Sequence, residues 1–185
     1  MMTEISLNVL DVAENSIRAK ADFIQIRVTV NCVQDRLTII ITDNGCGMTA
    51  EQITHVEDPF FTTRTTRSVG FGVPFFKYAA ECTGGELTII SEPSKGTVVT
   101  AVFVLSHIDR MPLGDMTSTM HTLITLNTNI DFLYTYIVGE KSFTLDTREF
   151  REILGDVPFN IREVSTYIKD YLRENTEEVN DGIYI

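Results

Sequence analysis

The sequence predicts an α/β (α+β) sandwich, a mixed β-sheet with helices on one face, followed by a C-terminal α/β extension. Three observations carry this expectation. Periods of 3.6 and 2 interleave over residues 5–104 in the order helix, strand, strand, helix, strand, strand, which is the signature of one sheet covered by helices. The 185 residues are 43% hydrophobic and 22% charged, enough apolar side chain for a real core. The length fits one domain, or one domain with an appendage.

The elements follow in chain order. Ile5, Val9, Val12, Ala13 and Ser16/Ile17 recur at helical spacing, so residues 5–20 form an amphipathic helix. Asn8, Asp11 and Asn15 fall at i, i+3 and i+7 and line one of its faces with short polar side chains. Residues 21–30 alternate, with Ile24, Ile26, Val28 and Val30 on one side and Gln25, Arg27 and Thr29 on the other, as a half-buried strand does. Arg36 to Thr42 is β-branched and apolar and leaves through Asp43-Asn44-Gly45. A short helix is expected from Thr49 to Glu57. Pro59 to Val69 lacks any period and reads as a functional loop. Helical spacing resumes over Gly70 to Thr83, with Pro74 in the first turn and Gly84-Gly85 as the stop. Glu86–Ser91 and Thr97–Val104 are strands joined by Glu92-Pro93-Ser94-Lys95-Gly96.

The composition divides the chain at about residue 105. Residues 1–104 carry 12 acidic and 8 basic residues, net −4, and 105–185 carry 14 and 7, net −7. We therefore expect a first unit at 1–104 and an extension at 105–185 on the same core. The extension should contain a helix near 115–126, a hairpin over 131–147 turning at Gly139-Glu140-Lys141, a short helix to about Leu154, and a last helix from about Asn160 to Glu178. Phe132, Tyr134 and Tyr136 alternate and should be core.

Charge and cysteine usage exclude several function classes. A formal charge of −11 repels phosphate backbones and anionic lipid, which argues against nucleic-acid or membrane-surface binding. No apolar run reaches a membrane span, and the N-terminus lacks a basic and then apolar leader, so a cytoplasmic location is expected. Cys32, Cys46 and Cys82 are odd in number and lack ligand spacing, so reduced and mostly buried thiols are expected.

Two glycine segments carry the chemistry. In Asp43-Asn44-Gly45-Cys46-Gly47-Met48 an aspartate at a strand end can accept from an exocyclic amine while glycines admit a planar ring. That suits adenine over guanine, and a plain Asx turn explains the same string equally well. In Arg67-Ser68-Val69-Gly70-Phe71-Gly72-Val73, backbone N–H groups at a helix start form an anion site suited to phosphate. Arg64 and Arg67 either reach the distal phosphates or are solvated charges. There is no GxxxxGK[ST]. Residues 45–50 match GxGxxA, but no acid-terminated strand follows at the distance a dinucleotide site requires. His55, His107 and His121 have no neighbours that make a triad or metal cage.

The ordered motifs Asp11-x-x-Glu14-Asn15-Ser16, DNGCGM, DPFFTTR with VGFGV, and SEPSKGTVVTAVF resemble the N box, first glycine box, lid phenylalanine region, second glycine box and last strand of the GHKL family. That family comprises gyrase, the ninety-kilodalton heat-shock chaperone, histidine kinases and MutL, and shares the Bergerat ATP-binding fold. The resemblance covers about residues 3–104. Phe60 to Thr97 looks most like histidine kinase catalytic domains, and Val12 to Val28 more like MutL.

The resemblance implies ATP and Mg²⁺ as ligands. Asn15 would hold Mg²⁺ through its amide oxygen, as suits a hard cation. Asp43 would bind the adenine amine, with Thr97 acting through water, and Gly45, Gly47 and Met48 would shape the base pocket. Gly70, Phe71 and Gly72 would hold phosphate and hinge a mobile lid over 57–69, and Lys77 stands where the kinases often place a basic residue. Asp11 stands where hydrolysing members use a glutamate, so it is the candidate base and is one methylene shorter. Ser68 replaces a glycine common in the kinases. The N-box helix opens the chain, so no phosphoacceptor helix is expected before it. These features imply a kinase or ATPase acting in signalling on a protein partner or phosphoacceptor in trans, with slow hydrolysis and with homodimerisation open. The alternative is a non-catalytic ATP/ADP switch that regulates a partner through lid and acidic tail.

Overall fold

The computed structural model describes residues 2–57, 72–155, 157–183 and 185. The lid region with Arg64, Arg67, Gly70 and Phe71 lies outside the described residues. The elements run α1 (Ile5–Arg18), β1 (Phe23–Asn31), β2 (Arg36–Asp43), α2 (Ala50–Glu57), α3 (Gly72–Glu81), β3 (Glu86–Glu92), β4 (Gly96–Val104), α4 (Met116–Leu126), β5 (Asp131–Val138), β6 (Lys141–Asp146), α5 (Thr147–Leu154) and α6 (Arg162–Asn180).

The strands form a six-stranded mixed sheet in the order β3-β4-β2-β1-β5-β6. The β1–β5 pair is parallel and the other neighbours are antiparallel. Strand alternation decides which side is covered. Ile24, Ile26, Val28 and Val30 on β1, Leu37, Ile39 and Ile41 on β2, and Phe132, Tyr134 and Tyr136 on β5 are buried under the helices. Thr38, Ile40 and Thr42 alternate to the opposite side and are only half-buried. The hairpin of residues 131–146 therefore continues the sheet of the first unit, with Ile26 of β1 facing both Ile41 and Tyr134 in register.

α1 is held at the heart of the helical layer because Ile5, Val9, Val12 and Ala13 all point into the core. Its first N–H groups lack helical partners by geometry. The segment after β4 supplies them, since Ile5 N donates to the Pro112 carbonyl (3.0 Å) and Ser6 N to the Leu113 carbonyl (2.8 Å). Leu113 N in turn donates to the Ile185 carbonyl (3.2 Å), so the chain's last residue braces the start of α1. Asp115 caps α4 by accepting from Ser118 N at 2.8 Å.

The cysteines depart from expectation. Cys32, Cys46 and Cys82 are all exposed. Each sits on a connection, after β1, after β2 and after α3, where surface loops rather than the apolar character of a thiol decide burial.

Candidate functional site

The site is built where the end of β2 meets α1 and the β3–β4 hairpin. Asp43 is the last residue of β2 and is 8% exposed. A buried carboxylate requires donors. Its Oδ2 accepts from Ser16 Oγ on α1 at 2.6 Å, and its Oδ1 accepts from Gly45 N at 2.9 Å. Ser16 is the missed residue of this pair. Its signal was a polar side chain at an apolar-face position of α1, one residue after Asn15.

The turn from Asn44 to Met48 is docked on three sides. Asn44 Oδ1 accepts from the N–H groups of Asp22 and Phe23, both at 3.1 Å. Cys46 N donates to the Ala19 carbonyl (2.9 Å), and the Cys46 carbonyl accepts from Ser94 N (2.7 Å). Met48 N donates to Ser91 Oγ at 2.8 Å. The glycines make this approach possible, because a Cβ on Gly47 would lie 1.9 Å from the Glu92 carbonyl oxygen.

Above this floor opens a cleft of about 480 Å³, within the range of small-molecule sites. It brings together Asn15, Asp43, Gly47, Met48 and Thr97 of the expected set. Gly45 is beside it, fixing Asp43. Sequence reading missed the α2 wall of Gln52, His55 and Val56 and the rim residue Arg18. The short helix carried too little periodicity to say which face it would present. Lys77 is half-buried on α3 and is not among the lining residues.

α1 supplies the polar edge. Asn15 Oδ1 accepts from Arg18 Nη1 at 3.2 Å, and Arg18 Nη2 pairs with Glu14 at 2.9 Å. Asp11 lies one turn before Asn15 on the same stripe but does not line the cleft. It is half-buried against the start of α3, where a Cβ on Gly72 would come within 2.7 Å of the Asp11 Cβ. Partial burial, and next the neighbouring Glu14 charge, raise the Asp11 carboxyl above its ordinary 3.8, while Arg18 opposes the shift. Among the described residues there is no cluster of three His, Cys, Asp or Glu side chains able to hold a metal, and no helix is long and apolar enough to cross a membrane.

The family model of histidine kinase-, DNA gyrase B-, and HSP90-like ATPases matches residues 3–107. The chain belongs to this family. Sporulation kinase E of Bacillus subtilis (strain 168) is 33% identical over 98 residues, 52% of this chain and 13% of that protein. Sensor protein kinase FleS of Pseudomonas aeruginosa is 34% identical over 97 residues, 52% of this chain and 24% of that one. The chain thus matches a quarter or less of these kinases' lengths. A crystal structure of the N-terminal domain of a DNA repair protein superposes with a TM-score of 0.56 at 15% identity, covering 96% of this chain and 57% of that one, a likeness of fold. The GHKL assignment and the mixed-sheet Bergerat architecture expected from the motifs are borne out, and the chain carries an ATP-binding, kinase-like domain.

Proposed function

We propose that this chain binds Mg-ATP in the cleft and acts as a kinase or ATPase of signalling type on a protein partner in trans. The observation that carries the reading is Asp43. Its carboxylate is buried at the cleft floor and accepts from Ser16 and Gly45, and its remaining lone pairs suit an exocyclic amine. The donor chemistry also fits a magnesium ion. Asn15 offers a neutral hard oxygen on the cleft wall, and Arg18 Nη1, which donates to that oxygen, would have to release it for the ion to take its place. The ion, when bound, supplies charge neutralisation on phosphate oxygens. Asn15 would hold it, Asp43 with Thr97 would fix the base, and Gly45, Gly47 and Met48 would let the ring approach. Gly72 would contribute at the start of α3, with Arg64, Arg67, Gly70, Phe71 and Lys77 assigned to phosphate by motif.

A second reading is the non-catalytic switch. It is favoured by the seat of Asp11, which is half-buried against Gly72 and does not line the cleft. Calorimetry with ATP, ADP and GTP, with and without Mg²⁺, tests binding, and radiolabelled phosphate release or transfer in the presence of lysate proteins separates the two readings. Adenine preference abolished by Asp43→Asn is expected. Equal affinity for GTP would refute the site, and tight ATP binding with neither release nor transfer would favour the switch.

A further inference from the structure

Ser91 lies on β3, outside the cleft lining, yet its hydroxyl touches three groups at once. It stands 2.8 Å from Met48 N, 2.9 Å from the Gly96 carbonyl oxygen and 2.9 Å from Thr97 Oγ1. The protons can be assigned by counting. An amide N–H only donates and a carbonyl only accepts, whereas each hydroxyl has one proton and two lone pairs. Two close oxygen–oxygen contacts share two protons, so each contact requires one. The Gly96 carbonyl has none to give, and the Ser91 proton must therefore point at Gly96. The contact between Ser91 and Thr97 is then bridged by the Thr97 proton, and the Met48 N–H takes a remaining Ser91 lone pair.

The consequence reaches the cleft, which Thr97 lines. With its proton committed to Ser91, Thr97 presents only lone pairs to a ligand. Asp43 also presents only lone pairs, because Ser16 and Gly45 donate onto it. Resting on the nucleotide reading above, we infer that Ser91 is a positioning residue that locks Thr97 as an acceptor, so that the site selects a 6-amino over a 6-oxo purine. A 6-amino group brings two N–H donors to this wall, whereas a 6-oxo purine brings one, its ring N1–H, and sets the oxygen's lone pairs against the remaining acceptor, which is costly in a buried site.

The test compares ATP with inosine triphosphate, whose base carries a 6-oxo group in place of the 6-amino, by calorimetry on the full chain. The wild type should prefer ATP by about a hundredfold or more. Ser91→Ala frees the Thr97 hydroxyl to turn and donate into the cleft, and should cut that preference about fivefold to tenfold through better relative binding of inosine triphosphate. Ser91→Thr retains the hydroxyl and should restore the wild-type ratio. In a Thr97→Val background, Ser91→Ala should leave the ratio unchanged, because the residue it acts through is gone. If Ser91→Ala weakens both nucleotides by one factor, or changes the ratio equally in the Thr97→Val background, Ser91 is only a prop for the turn and the inference fails. If the wild type binds neither nucleotide, the nucleotide reading itself fails.

Discussion

Gly96→Ala tests whether the β3–β4 hairpin sets the position of Asp43. Gly96 has φ +98°, and a Cβ there would lie 1.9 Å from the Asp43 carbonyl oxygen and 2.8 Å from Asn44 Cα. Relief to an ordinary contact near 3 Å requires Asp43 and the hairpin to part by roughly 1 Å, and close-packed backbone on both sides resists this. The left-handed conformation costs about 1–2 kcal/mol for an L side chain and the overlap about 1–3 more. Together these are about 2–5 kcal/mol, and at roughly 2–4 °C per kcal/mol for a chain of this size the melting temperature should fall by about 4–20 °C. A shift of that size also takes Asp43 out of hydrogen-bond range of an exocyclic amine, so ATP affinity should fall about tenfold to a hundredfold. Gly139→Ala is the control. Gly139 has φ +59° with nothing within 4 Å of a Cβ, so it carries the backbone cost alone and no effect on ATP. Thermal melts by circular dichroism and calorimetry with ATP read both quantities. Equal losses of stability in the two variants, or wild-type ATP affinity in Gly96→Ala, would refute the coupling between hairpin and Asp43.

Asp11 should act as a base only when ionised, and its carboxyl is raised above 3.8, so phosphate release should fall on acidification from a pH higher than an ordinary aspartate requires. Asp11→Asn should lower release by about 10² to 10⁴ and preserve ATP binding, with Asp11→Glu raising release; unchanged rates in both variants would assign the carboxylate a structural role. Because the folded chain holds that proton more tightly than the unfolded chain, Asp11 adds stability below 3.8 that is lost as pH rises through the folded value. Asp11→Asn should therefore flatten this part of the urea-midpoint profile. His121 shifts the other way. Burial, then the charge of Lys169, lowers it from 6.5 against an opposing hydrogen bond from Ser165, so the unfolded chain gains the proton first and stability should drop as pH falls below 6.5. Urea midpoints at pH 7.5 and 5.5 should differ less in His121→Gln than in the wild type.

Much of this protein follows from periodicity and turn chemistry alone. α1, the two hairpins, α4 and the alternating aromatics of β5 were legible because each buries one face, and a buried face imposes its period on the sequence. The glycine turn after β2 was legible from its own turn residues, and the ordered motifs pointed to Asp43 and Asn15, which the fold brings to one cleft. Three things were decided by tertiary structure. Strand order is one, since the parallel pairing of β1 with β5 joins residues more than a hundred positions apart, and no local pattern encodes which edge a hairpin adds to. Partnership is another. Ser16 onto Asp43 and Ser91 onto Met48, Gly96 and Thr97 are contacts between elements, and a single serine is silent until its neighbours are fixed. Accessibility is the third: the thiols came out exposed and Asp11 came out half-buried against the start of α3, because burial depends on what packs over a residue. A sequence records which side of its own helix or strand a residue occupies, whereas what meets that side is set by the global packing of the chain.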